Sequence, residues 1–258
     1  MGLEFFDSHC HLNDTKAYPE PAQVVAEAKA DGVTRMIVIG VDPESSRIAV
    51  ELADAYEGVY ATVGWHPNYT ASFSDAGFEM IRTMLSHPKV VGLGEIGLDN
   101  HWDYADKSQQ LDALNRQLAL AVEADMPLVF HCREAEDELL TILDSQPRLS
   151  GVLHCFGGDA SQAARALELG LYLGVDGPIT YKKNDAMRSM FANLPLERIL
   201  IETDAPWMSP MPFRGKPNHP RHVAIVAQGL ADAMDRSLEE VATATSENAK
   251  RLFRIRGA

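Results

Sequence analysis

The sequence has no long hydrophobic run, and this absence excludes one class of protein. A transmembrane helix needs roughly 18 or more consecutive apolar residues, and no segment of this 258-residue chain approaches that length. The first residues, Met1-Gly2-Leu3-Glu4-Phe5, also lack the charged and hydrophobic regions of a secretion signal. We therefore expect a soluble, cytoplasmic protein that does not engage a membrane.

Positive charge is also scarce. The chain has 23 lysines and arginines against 37 aspartates and glutamates, and its formal net charge is −14. A protein that tracks along a nucleic acid needs a basic surface to neutralise phosphates, so the composition disfavours a long, non-specific grip on such a backbone. It does not exclude a local anion site, because bound metal ions bring their own positive charge.

Cysteine is the third scarce feature. The only three cysteines are Cys10, Cys132 and Cys155, and each directly follows a histidine. A small, odd number without a disulfide-like framework indicates a reducing compartment. Because side chains alternate along a strand, these thiols are predicted to face away from the histidines. We interpret them as buried core residues and not as metal ligands.

What the sequence does contain is a regular alternation of short apolar runs and longer amphipathic segments. The runs predict eight strands, at residues 3–6, 36–39, 60–63, 90–93, 128–130, 152–153, 171–175 and 199–201. The amphipathic segments predict helices at residues 22–30, 44–56, 78–85, 108–124, 136–143, 161–169, 186–192, 224–234 and 238–252. Predicted helix starts are Pro19, Asp42-Pro43, Ser74 and Ser237.

Eight strand–helix units in a chain of 258 residues that is 46% hydrophobic predict an α/β fold, a (β/α)8 TIM barrel forming a single domain over residues 1–258. An open, doubly wound sheet is the alternative. The barrel is favoured because candidate ligands at five strand ends converge only if the sheet closes. Residues 204–220, rich in Pro, Met and Gly, are predicted to form a loop over the active face.

The most informative motif is His9-Cys10-His11, at the end of the first apolar run. Two histidines separated by one residue on a strand point to the same face. Imidazole nitrogen is a common ligand of divalent transition metals. The pair therefore predicts that His9 and His11 bind one metal ion together.

Further candidate ligands stand at the ends of other apolar runs. They are Glu95, His131, His154 and Asp204. In a barrel all these strand ends open onto the face where barrel enzymes keep their active sites. Four histidines and two carboxylates are enough for two metal ions that share a carboxylate and keep positions open for water and substrate. Histidines favour Zn or Mn, whereas carboxylates and phosphate chemistry also admit Mg.

Six motifs occur in an order that resembles the TatD family of metal-dependent deoxyribonucleases, within the amidohydrolase-like superfamily. They are Asp7-Ser8-His9-Cys10-His11-Leu12, Gly64-Trp65-His66-Pro67, Gly94-Glu95-Ile96-Gly97-Leu98-Asp99, His131-Cys132-Arg133, His154-Cys155-Phe156-Gly157-Gly158 and Glu202-Thr203-Asp204-Ala205-Pro206-Trp207. The resemblance covers almost the whole chain and continues to Asn248-Ala249-Lys250-Arg251-Leu252-Phe253.

The resemblance implies metal ligands at His9, His11, Glu95, His131, His154 and Asp204, with Glu95 bridging two divalent ions. It also implies hydrolysis of phosphodiester bonds in DNA, and possibly RNA, from the 3′ end of a single strand. The chain departs from the family at Asn100-His101-Trp102, where an aromatic residue usually follows Gly-Leu-Asp, and at Lys216-Pro217-Asn218-His219-Pro220. Both departures fall in predicted substrate loops, so they bear on substrate preference.

Four roles around the metals follow as hypotheses. Glu95 and Asp204 are the predicted catalytic residues, with Asp204 as general base as well as ligand. His66, which has no second ligand beside it in the sequence, is assigned to the phosphate or the leaving group. Arg133 lies two residues after His131, so it could contact phosphate; alternatively, it forms a rim salt bridge with Glu134 or Glu136. The side chains that could stack on terminal bases are Trp207, Phe213 and Tyr181, although ordinary loop packing is the favoured explanation for each.

Three functions remain open at this point. The first is a nuclease that acts on single-stranded DNA or RNA ends and needs no obligate protein partner. The second is a small-molecule metallohydrolase that cleaves an amide, lactone or phosphotriester on the same barrel. The third is a metal-binding scaffold without activity. The motifs favour the nuclease, whereas the acidic charge mildly favours the small-molecule enzyme or a nuclease that holds only the end of a strand.

Overall fold

Eight parallel strands form where the apolar runs stand, and they pair in the order of the chain. The computed structural model describes residues 2–147 and 149–255, and all elements below lie within them. The strands are β1 (Phe5–Cys10), β2 (Val33–Ile39), β3 (Val59–Val63), β4 (Val90–Asp99), β5 (Leu128–Arg133), β6 (Gly151–Leu153), β7 (Tyr172–Val175) and β8 (Ile199–Ile201).

Helices follow the strands and cover the outside of the sheet. They are α1 (Pro21–Ala30), α2 (Pro43–Ala55), α3 (Asp75–Met84), α4 (Lys107–Ala124), α5 (Glu136–Asp144), α6 (Ala160–Glu168), α7 (Asp185–Ala192), α8 (Val223–Met234) and α9 (Leu238–Leu252). Three of the four predicted helix starts are confirmed: Pro43 is the first residue of α2, and Ser74 and Ser237 cap α3 and α9. The prediction at Pro19 was wrong, since α1 begins at Pro21.

The sheet closes between its first and last strands. Cys10 forms a parallel bridge with Ala205, and the His11 amide donates to the Ala205 carbonyl oxygen across 2.7 Å. The Asp204 amide donates to the carbonyl of His9 at 2.9 Å. Closure with a sequential strand order confirms the (β/α)8 barrel and excludes the doubly wound sheet.

Two strands run further than their apolar composition predicts. β1 continues through His9 to Cys10, and β4 continues through Glu95 to Asp99. The sequence had suggested that Glu95 stands at the end of the fourth strand. In the structure it lies inside β4. The extension passes through two glycines of positive φ, Gly94 and Gly97. A Cβ on Gly97 would lie 1.9 Å from the carbonyl oxygen of His131, so only glycine allows β4 to pair with β5 there.

Apolar side chains fill the barrel in two layers. One lies between strands and helices; the other fills the interior, where Phe6, Ile37, Val129 and Leu200 pack with Phe253 from the chain's last turn. The last inward apolar residue of β5, β6 and β8 is followed two positions later by His131, His154 and Glu202, respectively. The same alternation thus fills the floor with hydrocarbon and the carboxyl-terminal mouth, the end at which the strands finish, with polar groups.

None of the helices in the described residues is both long enough and apolar enough to traverse a lipid bilayer.

Candidate metal centre

Glu95 lies at the middle of a buried cluster of histidines and carboxylates at the carboxyl-terminal mouth. Its Oε2 atom lies 3.5 Å from Nε2 of His9 and 3.9 Å from Nε2 of His11. Oδ1 of Asp204 lies 3.6 and 3.3 Å from the same two nitrogens. The pair contributed by β1 therefore faces two carboxylates, and His9, His11 and Glu95 form a group of suitable size for one metal ion.

The other carboxylate oxygen of Glu95 faces a second set of histidines. Oε1 lies 2.7 Å from Nε2 of His154, 2.9 Å from Nδ1 of His131 and 3.6 Å from Nε2 of His66. The two oxygens of one side chain thus point to two separate groups of imidazoles. This is the arrangement that a carboxylate needs if it is to bridge two ions.

The closure of the barrel positions the β1 side of the cluster. Asp7 accepts hydrogen bonds from the backbone amide and the hydroxyl of Thr203, at 2.9 and 2.6 Å. These bonds, with the Asp204–His9 backbone bond, fix the end of β8 beside β1. Asp204 has a φ of 52°, a conformation that aspartate tolerates better than most residues. The turn directs its carboxylate toward His9 and His11.

Two carboxylates that the sequence analysis did not assign lie behind the predicted ligand histidines His131 and His154. Oδ2 of Asp99 lies 2.9 Å from Nε2 of His131, and Oε1 of Glu202 lies 3.5 Å from Nδ1 of His154. Carboxylates behind ligating histidines are common in metal sites, where they fix the ring orientation. Sequence spacing could have found both, since Asp99 is four residues after Glu95 and Glu202 is two before Asp204, on the same strand faces.

Gly174 of β7 makes room for the Glu202 carboxylate. A Cβ on Gly174 of β7 would lie 2.7 Å from both carboxylate oxygens of Glu202. Any larger residue would displace Glu202 from His154. The space on β7 is therefore part of the site, although β7 contributes no predicted ligand.

Mutual contacts set the charges in the cluster. Burial alone would raise the pKa of Glu95, but the neighbouring imidazoles, His154 foremost, outweigh it and hold this pKa well below its usual range. Burial would likewise lower the pKa values of His131 and His154, yet their carboxylate partners raise both. The pKa of Asp204 is lowered, because the imidazoles of His11 and His9 outweigh burial. Both predicted catalytic carboxylates are therefore ionised at neutral pH.

His66 differs from the other histidines of the cluster. Its Nδ1 accepts a hydrogen bond from the backbone amide of Asn68 at 3.0 Å, and burial, together with His131, lowers its pKa to about 3. The ring is therefore neutral and carries its proton on Nε2, the atom that faces Glu95. A protonated nitrogen donates a hydrogen bond and cannot bind a metal, although His66, Glu95 and His131 are close enough to form a metal group.

Arg133 and the loop aromatics lie around this cluster. Arg133 is exposed and forms neither of the salt bridges with Glu134 or Glu136 within the described chain; its guanidinium lies 5.5 Å from the centre of the Trp102 ring. Trp207 stands edge-on to His11 with ring centres 4.9 Å apart, which places the 204–220 loop over the cluster. Phe213 stacks on His222, and the Tyr181 hydroxyl donates to Ser209.

The cysteines stay outside the cluster. Cys10 is buried against β2 and Cys132 packs in the strand–helix layer. Cys155 is nearest, with Sγ 3.1 Å from Asp176. Burial raises the pKa of each thiol. No cysteine belongs to a metal-sized group among residues 2–147 and 149–255.

The donor set fits divalent metal ions. Four imidazoles and two carboxylates converge within a few ångströms, and they come from five different strands or the residues that directly follow them. Nδ1 of His9 is buried without a hydrogen-bond partner in the described part of the chain, and a buried polar atom without a partner is costly. Protein atoms alone therefore leave part of this cluster without hydrogen-bond partners.

Comparison with known proteins gives a consistent result. A family described as TatD related DNase matches residues 6–254. The uncharacterized metal-dependent hydrolase YabD of Bacillus subtilis is 38% identical over 97% of this chain and 99% of its own length. The 3′-5′ ssDNA/RNA exonuclease TatD of Klebsiella pneumoniae is 34% identical over 97% of this chain and 98% of its own. The crystal structure of YjjV, a TatD homologue from Escherichia coli K12, has a TM-score of 0.92 at 35% identity and 98% coverage of both chains.

Proposed function

The chain belongs to the TatD-related DNase family of metal-dependent hydrolases, and from that premise we propose that it hydrolyses phosphodiester bonds at the 3′ end of single-stranded DNA or RNA. The observation that carries the proposal is Glu95, whose two carboxylate oxygens face two separate groups of histidines. A site of this form suits two divalent ions and a phosphate between them.

We assign the ligands as follows. His9, His11 and Asp204 would hold one ion, His131 and His154 the other, and Glu95 both. When bound, divalent ions supply Lewis acidity that lowers the pKa of water from about 15.7 toward 7 and offsets the charge of the phosphate. Imidazoles favour Zn or Mn, and the carboxylates admit Mg.

The protein's own groups then move the protons and orient the substrate. Asp204 is ionised and stands beside both β1 histidines, so it can accept the proton of the attacking water. His66 presents an Nε2–H in the same space, which suits donation to a phosphate oxygen or to the leaving oxygen. Because the His66 ring is neutral, its Nε2–H group remains a hydrogen-bond donor over a wide pH range.

The experiment compares substrate classes on one metal-loaded preparation. A DNA and an RNA oligonucleotide, each labelled at the 5′ or the 3′ end, are incubated beside a panel of esters, lactones and phosphotriesters. We expect 3′ label to be released first as mononucleotide, with a ladder of shortening 5′-labelled products. Cleavage of the small-molecule panel with no cleavage of oligonucleotides would establish the alternative function.

A second comparison tests whether the site takes ends only. The chain has 23 basic residues against 37 acidic ones, so a basic stripe for internal binding is unfavoured. We expect a linear single strand to be degraded and the same sequence, ligated into a circle, to persist. Equal rates on both would show internal cutting and would rule out the end-binding mode.

A further inference from the structure

Exposed aromatic side chains are confined to one end of the barrel. Among the described residues, the phenylalanines, tyrosines and tryptophans that are strongly exposed are Tyr69, Trp102, Tyr104 and Trp207. All four follow β3, β4 or β8 at the carboxyl-terminal mouth. Large exposed apolar side chains that cluster mark an interaction surface. The cluster therefore indicates a ligand with flat, apolar faces at the mouth that holds the metal centre.

Two of these side chains already form a stack. The Trp102 and Tyr104 rings lie 5.6 Å apart at 24° to each other, with 44% and 62% of their surface exposed. The Arg133 guanidinium lies 5.5 Å from the centre of the Trp102 ring. We call Trp102, Tyr104 and Arg133 the aromatic platform. Tyr104 is the more exposed of the two rings, so it offers the larger surface to a ligand.

The platform is tied to the metal centre through Asp99. One oxygen of Asp99 contacts His131 at 2.9 Å, and the other accepts the backbone amides of His101 and Trp102, both at 2.9 Å. Arg133 stands two residues after His131 on β5. A single carboxylate thus fixes both a predicted metal ligand and the start of the platform, so their relative position is rigid.

The charge of Arg133 is available to a ligand. In the described structure it has no carboxylate within salt-bridge distance, although acidic residues outnumber basic ones in the chain. An aromatic stack beside a free guanidinium is suited to a nucleotide, whose base stacks and whose phosphate is anionic. Trp207, on the loop after β8, stands on the opposite side of the mouth, because β4 and β8 are four strands apart in an eight-stranded ring.

From these observations we propose that the aromatic platform binds a base of the single strand adjacent to the scissile phosphodiester, with Arg133 on the neighbouring backbone phosphate. The inference rests on the proposed nuclease function and names a subsite for it. It also explains how an acidic protein holds a polyanion, since the grip comes from stacking and one arginine in place of a basic stripe. Stacking accepts every base, so the subsite requires a base without selecting which one.

The test uses two strands of equal length and charge. One is an ordinary DNA oligonucleotide, and the other carries abasic tetrahydrofuran units near its 3′ end. We expect the unchanged enzyme to have a KM about 10-fold lower for the base-bearing strand, as one stacked base warrants. Trp102→Ala/Tyr104→Ala should raise KM for that strand to the abasic value with little change in kcat. Trp102→Phe/Tyr104→Phe should restore the preference.

Two further variants separate the contributions. Arg133→Gln should raise KM for both strands alike, because it removes a phosphate contact and not a base contact. Met80→Ala, at an exposed residue of α3, is the matched control for loss of exposed apolar surface and should leave both KM values unchanged. If the double variant does not fold, Tyr104→Ala alone is the deciding variant, since its ring is the more exposed of the two and no hydrogen bond holds it in the described residues.

The outcomes distinguish the two levels of the proposal. An enzyme that degrades neither strand overturns the nuclease function itself. An enzyme that degrades both strands with equal KM, or an alanine variant that keeps the base preference, overturns the platform and leaves the nuclease function standing.

Discussion

At the carboxyl-terminal mouth of the barrel, imidazoles and carboxylates lie buried against one another. At the amino-terminal mouth, where the strands begin, Phe253 and its neighbours seal the interior with hydrocarbon, and Arg254 pairs with both carboxylate oxygens of Asp125 at 2.7 and 2.9 Å. The same strands supply both ends. The difference shows that one end concentrates reactive groups at a cost in stability, whereas the other stabilises the fold.

A cavity at the amino-terminal mouth sharpens this contrast. It has a volume of about 400 Å³ and is lined by Tyr172, Arg198 and Arg251, among others. Arg198 donates to the carbonyl of Gly170 and lies over the Tyr172 ring. The polar groups of Arg198 therefore hold loops together. The described residues that line the cavity form no metal-binding group.

The largest expected effect is at the shared carboxylate. Glu95→Gln should reduce kcat by at least about a thousandfold, since loss of a group that stabilises transition-state charge costs several kcal/mol. The circular dichroism spectrum should stay unchanged, because Glu95 packs among polar groups and not in the apolar floor. Glu51→Gln, at an exposed position of α2, is the control. Turnover within about threefold of the original, under saturating metal, would exclude a bridging role.

Asp204→Asn should have the next largest effect. Asparagine keeps the shape but cannot accept a proton, so activity should fall by about 10² to 10⁴. Metal analysis should show that ions held by His131 and His154 are retained. An active Asp204→Asn enzyme with an unaltered pH–rate profile would show that this residue is neither base nor essential ligand.

The amino-terminal mouth should respond in the opposite way. Phe253 is 3% exposed and belongs to the interior cluster, so Phe253→Ala should lower the free energy of unfolding by about 3–5 kcal/mol. Chemical denaturation measures this loss. kcat at a temperature where the variant stays folded should be unchanged. A fall in kcat without a fall in the free energy of unfolding would contradict the proposed division of roles between the two mouths.

The smallest effect concerns His222, which lies near the mouth but outside the cluster. Burial, together with the neighbours His219 and Arg221, lowers its pKa to about 4, and Asp31 opposes this only weakly. The unfolded chain then binds a proton near pH 6.5 that the folded chain refuses, so this contribution to stability falls as pH drops from about 6.5 to 4. An NMR titration, with His222→Gln to assign the signal, should give a midpoint well below 6.5. A midpoint at the ordinary value would show that the ring is solvated.

Much of the site could be predicted from strand periodicity. His131 and His154 each follow an inward apolar residue by two, so their convergence required only the closed barrel. Glu95 lies among the predicted histidines, as expected, but its place within β4 was not predicted, because the extension depends on Gly94 and Gly97 and on pairing with β5. Glycine has a low propensity for strands, so the composition of this segment of β4 does not indicate a strand.

Other features depend on packing between distant segments. The sequence suggested Phe213 and Tyr181 as stacking residues, yet Phe213 is covered by His222 and Tyr181 by Arg214. The exposed pair, Trp102 and Tyr104, had no assigned role; Trp102 belongs to the Asn100-His101-Trp102 departure from the family pattern, and Tyr104 follows it. The tautomer of His66 depends on the backbone amide of Asn68, a contact that no spacing rule reports.

The seam between β1 and β8 has a consequence for how the enzyme is made. Asp204 reaches His9 and His11 only when β8 pairs across to the first strand and Thr203 binds Asp7. During translation, the chain emerges with its four predicted ligand histidines and Glu95 before the proposed proton acceptor, Asp204. If the chain is the proposed nuclease, we expect no hydrolysis until the last strand is in place, so nucleic acid beside the unfinished chain would be spared.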